Sequence, residues 1–134
     1  MSSPRYDWWP YVKGMIRRYP ELCARQEELR RTKMSPNLTG MPSAHGQASD
    51  PVADAALREL PEINRRELEA VRRAIEETRS LPNGKERLEM VRLVFWKRTH
   101  TLEGAAMKCY ISYPTAKRWH KEFILLVGKN FGLL

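Results

Sequence analysis

The sequence predicts an all-α protein: N-terminal helices, a flexible linker and a C-terminal helical bundle containing a helix-turn-helix. Three observations predict it. Apolar residues recur every three or four positions almost throughout, and no strict alternation is long enough for a half-buried strand. Ser, Thr, Asp or Pro stands at the start of most of these periodic stretches, where orphan backbone N–H groups need an acceptor or none is missed. With 134 residues, 42% of them apolar and 30% charged, the chain suits one domain with an extension and excludes a multidomain enzyme.

Asp7 is placed to cap a first helix whose Tyr11, Val12, Met15, Ile16 and Tyr19 share one face, with Pro10 tolerated in the first turn. Pro20 is expected to end or bend it. A second, strongly charged helix then runs from Glu21 to about Lys33 along a thin stripe of Leu22, Gln26 and Leu29, closing an N-terminal segment 1–33. In residues 34–49, Pro36, Gly40, Pro42 and Gly46 lie among Ser, Asn and Thr, the composition of a flexible linker.

A helical domain is expected over 50–134. Asp50-Pro51 starts a helix that reaches about Leu60, and Pro61 opens another to Ser80, with Ile63, Leu68, Val71 and Ile75 inward and an Arg/Glu outer face. Leu81-Pro82-Asn83-Gly84 reads as a turn. Lys85–Trp96 has the spacing of a core-facing helix through Leu88, Val91, Val94 and Phe95, and a basic loop, Lys97-Arg98-Thr99-His100, follows.

The segment at about 101–128 carries the functional signal. Thr101 caps a short helix to about Cys109, whose Ala105 and Ala106 are small enough for another helix to cross closely. Ser112 caps a longer one to about Gly128, with Pro114 in its first turn. Helix, short turn, helix is the layout of a helix-turn-helix. Its inward offsets are filled by Ala105, Ala106, Cys109, Ile111, Ala116 and Trp119. One position departs: the first turn residue, where a left-handed backbone favours glycine, is Tyr110.

That register turns Tyr113, Pro114, Thr115, Lys117, Arg118, His120 and Lys121 outward, toward a major groove. Arg118 or Lys117 suits guanine O6 and N7, Ser112 and Lys121 suit phosphates, and Lys97, Arg98 and Lys108 extend the basic footprint. The charge agrees: the chain is +8 with a pI near 9.8, which makes a polyanion the first partner to consider, and with the motif the expected one is double-stranded DNA.

Catalysis is not expected, since no clustered acids, metal-ligand set or activated nucleophile stands out, and no cofactor or metal is implied. Cys23 and Cys109 read as reduced thiols. The longest apolar run is Phe123–Val127 and the N-terminus has no signal-peptide core, so a cytoplasmic protein without membrane contact is anticipated. The aromatic cluster Trp8, Trp9 and Tyr11 has two readings: an anchor for RNA polymerase or a second subunit, or closure of a small core.

Several phrases resemble the bacteriophage transcriptional regulators of the RinA and ArpU type. They are Gly40-Met41-Pro42 followed by Ser49-Asp50-Pro51, Leu102-Glu103-Gly104-Ala105-Ala106, Thr115-Ala116-Lys117-Arg118-Trp119-His120 and the closing Phe131-Gly132-Leu133-Leu134. The resemblance spans most of residues 34–134. It implies an activator of late phage or mobile-element genes, with a helix-turn-helix similar to the promoter-reading region of sigma factors and contact with host RNA polymerase. Two other readings compete: a small terminase subunit, a homo-oligomer that recognises DNA for packaging, and a protein-interaction bundle without DNA affinity.

Overall fold

A computed structural model of the chain describes residues 6–34 and 59–134. The linker expected over 34–49 lies outside them except for Met34, and so does the Asp50–Leu60 helix except for its last two residues. The described residues are helical, in the order α1 (Trp9–Met34), α2 (Glu62–Arg79), α3 (Gly84–Val91) running into a π-helical turn (Arg92–Trp96), α4 (Leu102–Lys108) and α5 (Tyr113–Phe131).

α1 corrects two expectations. It begins at Trp9, and the Trp8 carbonyl accepts its first intrahelical bond from Val12, so Trp8 rather than Asp7 takes the capping position. It also continues through Pro20 for 26 residues. Proline supplies no N–H to the carbonyl four residues back, which here is Ile16. That carbonyl accepts instead from the indole Nε1–H of Trp96, at 2.7 Å. With the acceptor satisfied, the apolar stripe on both sides of Pro20 keeps the helix together: Val12, Met15 and Ile16 are buried before it and Leu22 after it.

α2 follows Pro61 and ends at Ser80, as the pattern indicates. Leu68, Ala70, Val71, Ala74 and Thr78 are buried and Ile75 is half-buried. Ile63, expected inward, is exposed, because burial on this helix begins only at Glu67 and its first turn lies beyond the covered stretch. Glu67 is the buried acid of the molecule's described part. It is held by Arg18 at 3.0 Å and by the Tyr11 hydroxyl, which answers its desolvation with charge and hydrogen bonds together. On the outer face the exposed Arg72–Glu69 and Arg79–Glu76 pairs are screened by solvent and contribute little.

The turn at Leu81–Gly84 is closed by the Gly84 N–H on the Leu81 carbonyl, with Asn83 left-handed. α3 then departs from the single regular helix anticipated over 85–96. At Arg92 it widens, and the Lys97 N–H reaches five residues back to the Arg92 carbonyl at 2.7 Å. Val91 and Phe95 are buried as expected, together with Met90 and Leu93, whereas Leu88 and Val94 are half-buried, and the widening carries Trp96 toward α1.

One core joins these elements. Val12, Met15 and Ile16 of α1 meet Ala70, Val71 and Ala74 of α2, Phe95 of the π turn, and Ala116, Trp119, Phe123, Ile124 and Val127 of α5. Residues 9–16 of the segment read as N-terminal thus contribute to the same core as the helix-turn-helix. A second, smaller cluster gathers Leu22, Leu60 and Leu68. Trp8 and Trp9 are half-buried against the main core, Trp8 seated over Gly128, where a Cβ would lie 2.9 Å from its ring. Glycine is required there by the close approach. The cluster therefore closes a core, although Tyr6 and Tyr11 keep 40% of their surface in solvent. No helix among the described residues is long and apolar enough to cross a membrane.

Candidate nucleic-acid interface

Two capped helices and the turn between them build the candidate site. Thr101 is extended, and its hydroxyl accepts from the Gly104 N–H at 3.0 Å, starting α4. Ser112 is likewise extended and accepts from the Thr115 N–H at 3.2 Å, starting α5 with Pro114 in its first turn. Each cap satisfies a backbone donor that would otherwise be orphaned, typically contributing about 1 kcal/mol. Ala105, Ala106 and Ala116 are buried to 1% exposure or less, so the two helices meet through methyl groups. Cys109 and Ile111 are half-buried against the same core. Burial pushes the Cys109 thiol up, with Glu89 and Glu86 adding to it, which keeps the sulfur protonated as a packing group.

The turn has the geometry of a Schellman motif. The Ile111 N–H donates to the Ala106 carbonyl at 3.0 Å and the Tyr110 N–H to Met107 at 3.2 Å, with Tyr110 left-handed at φ 61°. The end of α5 repeats the pattern: Leu133 donates to Gly128, Gly132 to Lys129, and Gly132 takes the left-handed position at φ 101°. α5 therefore runs three residues past the expected Gly128. What glycine does without cost at one terminus, tyrosine does at the other against a steric penalty of roughly 1–2 kcal/mol.

Trp119 fixes the rotation of α5. Its indole is 5% exposed, and the Arg87 guanidinium lies 5.0 Å over the ring while donating to Glu122 at 2.7 Å. Opposite that buried face, Ser112, Tyr113, Pro114, Lys117, Arg118 and Lys121 are exposed, and Thr115 partly so. Lys117 sets its ammonium 5.1 Å from the Tyr113 ring centre. Arg118 approaches Glu122 at 3.9 Å but keeps 60% of its side chain in solvent, a weak pair that leaves the guanidinium available. Among the described residues Lys117 and Lys121 make no ion pair.

Three expectations change in detail. His120 does not point outward. It is half-buried, stacked on Phe95 with ring centres 5.2 Å apart and planes within 6°, because α5 is covered on this side by the π turn and α1. Burial, then the nearby charges of Lys13 and Arg17, pull its pKa from 6.5 down to about 4, so it is neutral at physiological pH. Ser112, read as a phosphate ligand, commits its hydroxyl to Thr115, accepting from the backbone and donating to Oγ1 at 2.9 Å. Lys97 and Lys108 are exposed but both lie within electrostatic range of Glu89, on the α3 side of the motif. Arg98 is exposed in the loop before α4, left-handed at φ 55°.

Two residues escape the outward pattern read from the sequence. Tyr110, in the motif's turn, is 94% exposed, and Met107, in the last turn of α4, is 73% exposed. The departure from glycine at position 110 was the available signal. Among the described residues no group of His, Cys, Asp and Glu is arranged to hold a metal ion. No protein-family model matches the chain, and neither a curated protein nor a solved structure matches it at a significant level.

Proposed function

We propose that the protein binds double-stranded DNA through α4 and α5, with α5 as the recognition helix. One observation carries the reading: Trp119 and Ala116 are buried on one face of α5, while Lys117, Arg118 and Lys121 are exposed on the other, in a chain of net charge +8. An exposed cationic face on a rotationally fixed helix of groove-sized diameter is what major-groove entry needs.

In this reading Arg118 takes guanine O6 and N7, Lys117 reads an adjacent base edge and Lys121 holds a phosphate. Ser112 and Thr115 act by fixing the first turn. Lys97, Arg98 and Lys108 supply general attraction to the duplex. His120 is neutral and acts as a packing residue. The resemblance to RinA and ArpU regulators extends the proposal to promoter binding in a bacterial cytoplasm, with activation of late phage or mobile-element genes through contact with host RNA polymerase. Such a role requires positioning alone.

The test is footprinting and fluorescence anisotropy on DNA flanking the protein's own gene, over a salt series. Four or so phosphate contacts give a log–log salt slope of about −3 to −4. A protected site with that slope supports the proposal, and a flat titration without protection refutes it.

A further inference from the structure

Tyr110 sits at the left-handed position of a Schellman turn, where the same chain uses Gly132 at its other such turn. Its ring makes no hydrogen bond or ring contact among the described residues and is 94% exposed. The fold therefore carries backbone strain for a side chain that returns nothing to the fold. Strain without internal compensation points to a use outside the molecule. Tyr113 stands at the first position of α5, 42% exposed, with the Lys117 ammonium over its ring, and Met107, in the last turn of α4, is 73% exposed.

We infer that Tyr110, in the turn, and Tyr113, at the start of α5, each pack on the sugar–phosphate backbone of duplex DNA beside the groove entered by α5. The inference rests on the proposed DNA-binding reading and adds to it an uncharged contact. The chemistry fits that occupant: a phenol ring offers an apolar face to deoxyribose and an O–H to a phosphate oxygen, and the cationic face of α5 supplies the complementary charge alongside. A contact of this kind is indifferent to base sequence.

The full-length chain is titrated against a mixed-sequence 20-base-pair duplex, by anisotropy over a salt series, beside Tyr110→Gly and Tyr110→Asn. Glycine and asparagine tolerate the left-handed backbone, so both variants should melt higher, by about 2–5 °C. Both should also bind the duplex about three- to tenfold more weakly with an unchanged salt slope, since no cation is lost. Lys121→Ala, in contrast, should lower the slope by about one. Unchanged affinity of both tyrosine variants, with the native chain binding, overturns this inference and leaves the DNA-binding reading intact. A native chain that does not bind duplex DNA overturns both. Weaker binding with lower melting temperatures in both variants overturns the inference by making Tyr110 a residue the fold depends on.

Discussion

The indole N–H of Trp96 occupies the carbonyl of Ile16, the acceptor that Pro20 leaves vacant one helical turn further along α1. A bond between residues 80 positions apart thus repairs a gap that proline makes locally. The π-helical turn at Arg92–Trp96 serves this bond by bringing the indole to α1, where it also packs 5.8 Å from the Tyr19 ring.

Trp96→Phe should therefore destabilise the protein by about 1–3 kcal/mol, the cost of leaving a buried acceptor unsatisfied. In a Pro20→Ala background the new backbone N–H reaches the same carbonyl, and the cost of Trp96→Phe should shrink by at least half. Urea unfolding of the four proteins measures the coupling. Equal costs in both backgrounds would show that the indole acts only through its ring.

What was legible in the sequence was local. Thr101, Ser112 and Pro61 announce helix starts because capping and the missing proline N–H involve only the next turn, and Ala105, Ala106, Ala116 and Trp119 mark a face by spacing alone. Helix continuity through Pro20 depends on Trp96, and the inward turn of His120 depends on Phe95 and α1, partners that periodicity does not reveal. Ile63 has the right spacing, and among the described residues nothing covers it. In the candidate site the basic residues were readable as such, whereas Tyr110 could be recognised only as a residue out of place.

Arg118 and Lys121 should separate by the kind of binding they support. Arg118→Ala should cost about 1–3 kcal/mol at the specific site and relax preference at one base pair. Lys121→Ala should weaken all sequences alike and reduce the salt slope by about one. Competition titrations with site variants and a salt series distinguish them. Unaltered binding by both variants would contradict the placement of α5 in the groove.

Gly128→Ala should reverse sign with its neighbour. In the native background a Cβ meets the Trp8 ring at 2.9 Å, and overpacking of this kind costs about 1–3 kcal/mol. The ring has little room to retreat, being half-buried and stacked under Tyr6 at 4.7 Å. In a Trp8→Ala background the obstruction is gone, and alanine's better helix propensity should stabilise by up to about 1 kcal/mol. Thermal melts of the four chains give both signs, and a destabilising Gly128→Ala in both would assign the glycine another role.

His120 should make stability fall on mild acidification. Its pKa is pulled down to about 4 by burial and by Lys13 and Arg17, against 6.5 when unburied. Between those values the unfolded chain carries a proton that the folded one refuses, so unfolding takes up a proton and stability rises with pH. The contribution is complete above pH 6.5 and is lost as pH falls toward 4, with a slope approaching about 1.4 kcal/mol per pH unit and a total on the order of 3 kcal/mol. Glu69 and Glu89 are held below the usual 4.5, chiefly by hydrogen bonds from Arg72 and Arg92, so their losses begin only below that value. Among the described groups with a shifted pKa, His120 is therefore the one that acts between pH 6.5 and 4.5. His120→Phe keeps a ring on Phe95 and should flatten urea-derived stability across that interval, whereas a native-like slope in this variant would show that the proton goes elsewhere.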